Sequence, residues 1–201
     1  MNKFRSEQSG RSMVEMLGVL AIIGVLSVGG IAGYSKAMAK FKLSKAMDQV
    51  SNVVTNVRTL YSGQPNYSGL TTSIAIQMGA IGAEMLSGKS TTSASKAYNA
   101  FNGQVDVAAT DVNSVADMGF KVTFTGLGKE ACVALSTADW GSGSGSGLVS
   151  VAAGTGAGTG TTFTQKAIGE TSAATLPLAL AKAAAGCSGE GDTNAVQWTY
   201  Y

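Results

Sequence analysis

The 201-residue chain contains no histidine, and only 13% of its residues are charged. Histidine is the side chain that most often serves as a general base or a metal ligand near neutral pH, so its absence removes the commonest basis for either role. The sequence also lacks a Gly-x-x-x-x-Gly-Lys-Ser/Thr segment, which excludes the usual phosphate-binding loop. We therefore predict no catalytic residue, no enzyme activity and no cofactor.

Cysteine and proline are scarce as well, with two residues of each. Cys132 and Cys187 are too far apart for a zinc-binding pattern, so they predict no metal site. In an exported protein two cysteines are typical of one disulfide bond, and two buried free thiols are the alternative. Such a bond would close a loop of about 56 residues and stabilise the fold by roughly 4 kcal/mol.

Acidic and basic residues nearly balance, leaving a net charge of +2. This gives no electrostatic basis for binding nucleic acid, and we predict none. Asp106, Asp111 and Asp117 are scattered through a loop-rich stretch. We interpret them as a solvated surface, with a weak calcium site as the alternative.

One long apolar segment contrasts with this shortage of charge. The nineteen residues from Met16 to Tyr34 carry no charge, which is close to the roughly 20 residues that span a bilayer. A cleavable secretory signal has a shorter apolar run of about 7–15 residues. The segment therefore predicts a membrane-spanning helix, with a plain anchor or a secretory signal as alternatives. Four lysines follow it: Lys36, Lys40, Lys42 and Lys45.

Glu15 stands at the start of the apolar run, where a carboxylate is costly and needs a partner. A polar leader, residues 1–10, ends at Gly10. A cut after Gly10 would create an α-amine at Arg11 and make Glu15 the fifth residue of the mature chain. The amine and the carboxylate can pair within one chain or between neighbouring chains that are out of register. The second arrangement makes a polymer.

Gly10, Glu15 and the uncharged run beginning at Met16 resemble the class III signal of type IV pilins and related pseudopilins. The resemblance implies that a prepilin peptidase cuts after Gly10, that the new N-terminus is methylated, and that Glu15 docks the subunit into a helical fibre of identical copies. It also implies contact with the lipid bilayer before assembly and with the pilus assembly machinery of the inner membrane. Arg11 replaces the aromatic residue or methionine usual after the cut and adds a positive charge beside Glu15.

The function implied by the resemblance is that of a structural subunit of a type IV pilus. The head would lie in the periplasm before assembly, and the extracellular fibre would serve adhesion, conjugation or related contact. A minor pilin or type II secretion pseudopilin shares the same N-terminus and is the first alternative. A membrane-anchored periplasmic binding domain with an uncut N-terminus is the second.

The apolar pattern continues beyond the membrane segment as an amphipathic helix. From Tyr34 to Tyr61 apolar residues recur mostly at spacings of three and four. The opposite, polar face consists of Lys36, Lys40, Lys45, Asp48, Asn52, Asn56 and Arg58. Gly63-Gln64-Pro65 ends the pattern. We predict one helix over residues 12–62, roughly 75 Å long at 1.5 Å per residue. Residues 11–34 would form the transmembrane segment and fibre core, and residues 35–62 the amphipathic part.

Residues 63–201 predict a globular head of the α+β class, in which the long helix packs on a small antiparallel sheet with one disulfide. Asn102-Gly103 is a strong hairpin signal, and residues 120–124 alternate as a strand does. Further strands are predicted at 131–136, 148–152, 161–167 and 196–201. Helices are predicted within 68–87 and over 176–185, and two Gly-rich tracts, 141–147 and 154–160, are expected to be exposed loops between strands.

Three parts of the head also resemble a known branch of the pilin family. The segment from Ser73 to Leu86, the run from Lys129 to Ser136, and Trp140 look like the thin-pilus pilins of conjugative plasmids, which belong to the type IVb branch. The resemblance implies that residues 132–187 form a variable surface region enclosed by the disulfide between Cys132 and Cys187.

Overall fold

A computed structural model describes residues 13–87, 96–141, 145–156, 160–169 and 176–201. Its first element is the helix α1, Met13–Tyr61, of 49 residues. This agrees with the helix predicted from the spacing of apolar residues. The chain divides into two compact units, Met1–Phe41 and Lys42–Tyr201, and α1 contributes to both.

Two short helical segments follow α1 within the predicted range 68–87. Helix α2 spans Thr72–Gln77, and a 3-10 turn spans Ala83–Met85. The Thr71 hydroxyl caps α2 by accepting a hydrogen bond from the Ile74 amide at 3.3 Å. The predicted helix is therefore present, but it is shorter than the apolar spacing indicated.

In the described part of the head, six strands form one antiparallel sheet in the order β1-β2-β3-β6-β4-β5. The C-terminal strand β6 thus lies between β3 and β4, in the middle of the sheet. The strands are β1 Ala97–Tyr98, β2 Gln104–Val112, β3 Val115–Leu127, β4 Leu148–Thr155, β5 Thr162–Ile168 and β6 Asn194–Tyr200. The strands predicted at 120–124 and 148–152 are confirmed within these bounds, and those predicted at 161–167 and 196–201 are confirmed except for Thr161 and Tyr201, which lie just outside β5 and β6.

The Asn-Gly hairpin is also confirmed, although its loop is longer than the two residues typical of that signal. Asn102 has a φ of 68°, in the left-handed region that asparagine tolerates. The Asn99 side chain organises the five-residue loop. Its Oδ1 accepts hydrogen bonds from the amides of Phe101 at 2.8 Å and Gly103 at 3.1 Å, and its Nδ2 donates to the Thr125 carbonyl at 2.9 Å.

Residues 131–136 form a helix, so the prediction of a strand there is wrong. Helix α3 spans Lys129–Thr137. Cys132, Leu135 and Ser136 are buried, and spacings of three and four place all three on one helical face, whereas a strand would bury alternate residues. Lysine, glutamate, alanine and leucine in this segment favour a helix, and the short apolar run around Cys132 concealed that preference.

Helix α4 spans Leu180–Gly186 and begins four residues later than predicted. Pro177 accounts for the exclusion of Leu176, because a proline disfavours helical geometry in the residue before it. The described residues before Leu180 include Leu178, which is buried in the core although it lies outside the helix.

The two Gly-rich tracts are not both loops between strands. The tract 141–147 connects α3 to β4, and its residues 142–144 lie outside the described part of the chain. In the tract 154–160, Gly154 and Thr155 belong to β4, while residues 157–159 lie outside the described part of the chain. Gly154 is buried at a bulge, where a Cβ atom would collide with the backbone of Thr162 and Phe163, so glycine is needed there for close strand approach.

One hydrophobic core holds the Lys42–Tyr201 unit together. Val50, Val53 and Val57 of α1 are fully buried and belong to the same cluster as Phe120, Phe124 and Trp198 of the sheet. The cluster also includes Cys132 and Cys187. The result is the predicted α+β fold, with a long N-terminal helix, an antiparallel sheet and one disulfide bond.

Candidate functional site: the exposed N-terminal helix and its anchor in the head

The first unit of the chain presents an apolar helix surface without a protein covering. Between Met13 and Phe41 no described residue is buried. Val25 and Ile31 keep 76% and 71% of their surface exposed. By length and composition α1 can cross a membrane. The large apolar residues exposed here are Met13, Val14, Met16, Leu17, Val19, Leu20, Ile22, Ile23, Val25, Leu26, Val28, Ile31, Tyr34 and Phe41.

This exposure is too extensive for a stable monomer in water. A typical soluble monomer exposes contiguous apolar patches of only a few hundred Å². Glycines at positions 18, 24, 29, 30 and 33 add small surfaces to the same helix, and a Cβ atom at any of them would meet nothing within 4 Å. They are therefore not required by packing within the chain. In a bundle, small residues let neighbouring helices approach closely.

Glu15 lies in the first turn of α1 and is exposed. A carboxylate is favoured at this end of a helix because the unpaired amides of the first turn carry partial positive charge. Gly10 and Arg11 lie outside the described residues. The structure therefore shows Glu15 in the first described turn of the helix beside the apolar surface, and the predicted cleavage site and its pairing with Glu15 stay predictions.

The second part of α1 is tied to the head by polar contacts that sequence reasoning missed. Arg58 donates from Nε to the Tyr201 carbonyl at 3.1 Å and from Nη2 to the Ser146 carbonyl at 2.7 Å. Its guanidinium also lies 4.9 Å from the ring centre of Tyr200. Asn56, also assigned to the polar face, donates to the Ala80 carbonyl at 3.1 Å. Only Lys36, Lys40, Lys45, Asp48 and Asn52 of that predicted face are exposed.

Tyr200 shows how deeply this anchor is embedded. Burial raises the pKa of Tyr200 to about 12, although the nearby Arg58 charge acts in the opposite direction. The ring is only 4% exposed and stacks on Phe120 with ring centres 5.8 Å apart. Tyr200 is therefore neutral at physiological pH and serves as an aromatic surface for the Arg58 guanidinium.

The disulfide joins Cys132 of α3 to Cys187, the residue after α4, across a sequence separation of 55. Both cysteines are fully buried. The bond therefore lies within the core of the head beneath the two short helices. That residues 132–187 form a variable surface region stays a prediction.

Asp106 and Asp111 lie on strand β2 and Asp117 lies on strand β3, so the prediction that these aspartates occupy a loop-rich stretch is wrong. Asp106 accepts a hydrogen bond from Gln104 at 2.9 Å, and Asp111 accepts one from the Asp117 amide at 3.1 Å. Within the described residues, no group of three or more acidic, cysteine or histidine side chains is arranged to hold a metal ion.

Solved structures that resemble this fold include two crystal structures of pilins. The crystal structure of the type IV b pilin from Salmonella typhi is 22% identical, with a TM-score of 0.52 over 80% of this chain and 98% of that one. The crystal structure of TcpA, a type IV pilin from Vibrio cholerae El Tor, is 16% identical, with a TM-score of 0.51 over 80% of this chain and 99% of that one. At these identities the likeness shows the fold, which is that of a pilin.

Sequence comparison adds the family. The PilS N terminal family model matches residues 41–201. The major structural subunit of the bundle-forming pilus of Escherichia coli O127:H6 is 32% identical over 142 residues, covering 71% of this chain and 69% of that protein. The toxin coregulated pilin of Vibrio cholerae is 27% identical over 135 residues, covering 67% and 59%. The chain belongs to the type IV pilin family.

Proposed function

We propose that this chain is the major structural subunit of a type IV pilus, cut after Gly10 and polymerised through the exposed apolar helix. The uncovered surface between Met13 and Phe41 carries the proposal, because it needs a bilayer before assembly and neighbouring helices afterwards. A relative named as a major structural subunit supports this role over that of a minor pilin or pseudopilin. Because that relative is named as a structural subunit, it also supports a role without catalysis.

In the proposed sequence of events, the apolar helix first anchors the subunit in the inner membrane with its head in the periplasm. A prepilin peptidase removes residues 1–10, and the assembly machinery transfers the subunit into the fibre. During transfer, Glu15 leaves the water at the membrane surface and pairs with the α-amine of a neighbouring subunit. The pairing matters because an unpaired carboxylate in an apolar bundle is costly. Adhesion, conjugation or related contact is the use that we propose for the extracellular fibre.

The Glu15→Ala substitution tests this proposal. We expect it to abolish fibres in sheared surface fractions, while the head keeps its unfolding midpoint and the disulfide forms as before. Glu190→Ala is the matched control, because it removes one exposed carboxylate from a loop of the head. Mass spectrometry of both variants should give a mature chain that starts at Arg11.

Two results would contradict the proposal in different ways. Normal fibres from Glu15→Ala would show that docking does not depend on this carboxylate. A mature chain that starts at Met1 would show that the leader is retained and would favour the membrane-anchored binding domain.

A further inference from the structure

Lys36 and Lys40 stand just beyond the apolar run, one helical turn apart on α1. Both are exposed. The sequence has no acidic residue between Glu15 and Asp48, so neither lysine has a carboxylate within one helical turn. Two adjacent, uncompensated cations at this position are not explained by the packing of the chain.

Their distance from the apolar run matches the thickness of a lipid headgroup layer. From Met16 to Tyr34 the helix is about 28 Å long, close to the hydrocarbon core of roughly 30 Å. Lys36 and Lys40 lie about 3 and 9 Å further along the axis. The headgroup layer on each side of a bilayer is about 5–8 Å thick, and a lysine side chain extends several ångströms along the surface.

Tyr34 marks the same boundary independently. It lies two residues before Lys36, the first charged residue after the apolar run, and 68% of its surface is exposed. Tyrosine favours the level of the headgroups, where its ring is in apolar surroundings and its hydroxyl is in water. An apolar run followed by a tyrosine and then by two lysines is therefore the order expected where a helix leaves a membrane.

We propose that Lys36 and Lys40 bind the phosphate groups of anionic phospholipids at the surface of the bilayer from which the subunit is assembled. The inference rests on the membrane stage of the proposed function. The positive charges of Lys36 and Lys40 favour anionic lipid, since a zwitterionic headgroup offers no net negative charge. The contact holds the unassembled subunit at a defined depth and is broken when the subunit leaves the bilayer.

Lipid selectivity of the full chain in vesicles tests this proposal. The chain is reconstituted into phosphatidylcholine vesicles, and electron spin resonance measures how strongly spin-labelled phosphatidylglycerol associates with it relative to spin-labelled phosphatidylcholine. A lysine near an anionic surface favours binding by about fivefold at most. We therefore expect the double variant Lys36→Gln/Lys40→Gln to lower the preference for phosphatidylglycerol at least about twofold.

Lys121→Gln/Lys166→Gln is the matched control, because it removes the same charge from two strands of the head. The control should keep the preference of the unchanged chain. Lys3, Arg5 and Arg11 precede the apolar run and are present in every variant, so their contribution cancels. In about 1 M salt, where the screening length is about 3 Å, the difference between variant and unchanged chain should shrink.

The outcomes separate this inference from the function on which it rests. An unchanged preference in the Lys36/Lys40 variant, or an equal loss in the control, would overturn the inference and leave the pilin role intact. If flotation shows that the unchanged chain is not retained in vesicles, then the membrane stage itself is wrong and the inference fails with it.

Discussion

Arg58 is the residue whose role differs most from its place in the sequence pattern. On the helical pattern it occupies the polar face, yet its guanidinium reaches the carbonyls of Ser146 and Tyr201 and covers the ring of Tyr200. One side chain thus connects α1, the Gly-rich tract before β4, and the end of β6. Gly147 makes room for it, because a Cβ atom there would collide with Nη2 of Arg58.

We predict that Arg58→Gln destabilises the head by about 1.5–3 kcal/mol, the usual range for hydrogen bonds made by a charged group. Arg58→Lys should recover only part of this, because an ammonium cannot reproduce the forked geometry or the stacking of a guanidinium. Denaturant unfolding of the full chain in mild detergent, followed by the near-ultraviolet circular dichroism of its tryptophans, gives the values. Lys121→Gln serves as the control, and an Arg58→Gln midpoint equal to that of the control would contradict the prediction.

At the scale of elements, α3 and α4 depend on each other through the disulfide. Each is short, with nine and seven residues, and isolated helices of that length are not stable in water. Cys132 and Cys187 connect them at a Cα separation of 5.9 Å, and Gly186 lets α4 approach Ala153 of β4 closely.

Removing the bond with Cys132→Ala/Cys187→Ala should therefore lower the free energy of unfolding by about 4 kcal/mol, the entropy estimate for a loop of this size. Both thiol positions are buried, so alanine leaves small cavities but no unpaired polar group. The unchanged chain with its bond reduced is the control and should unfold at nearly the same denaturant concentration as the variant. A variant as stable as the oxidised chain would show that the bond adds nothing to the fold.

At the scale of the whole molecule, burial and apolar exposure belong to different units. Every buried residue in the described part of the chain lies at or after Ala46, while the exposed apolar helix surface lies between Met13 and Phe41. The chain thus combines a head that completes its own core with a helix whose apolar surface is available for the membrane and fibre contacts that we propose.

A chain that begins at Lys42 should consequently fold, stay soluble without detergent, keep the midpoint of the full-length head and form no fibres. A chain that begins at Val53 is the comparison, because it loses buried Ala46, Gln49 and Val50 and the bond between Gln49 and the Ala100 amide. It should be clearly less stable. Thermal unfolding and gel filtration of both chains measure their stability and solubility. If the chain that begins at Lys42 needs detergent to stay soluble, then the head does not complete its own core.

The sequence by itself determined the long helix, its membrane-compatible half, most strands and the α+β class. These features depend on local periodicity. The uncharged run from Met16 to Tyr34 is long enough to predict a membrane-compatible helix without knowledge of its tertiary contacts. The need of Glu15 for a partner stays a prediction, which depends only on the cost of a carboxylate beside an apolar run.

Tertiary structure alone decided the helical state of residues 129–137, the central place of β6 in the sheet and the role of Arg58. In the first case the residues of the segment favour a helix, but its short apolar run also fits a strand, and packing against the sheet selects the helix. In the other two, the partners are far away in sequence: Arg58 meets Tyr201, and β6 separates β3 from β4. Such contacts leave no periodic trace in the sequence, because they depend on which surfaces the completed core brings together.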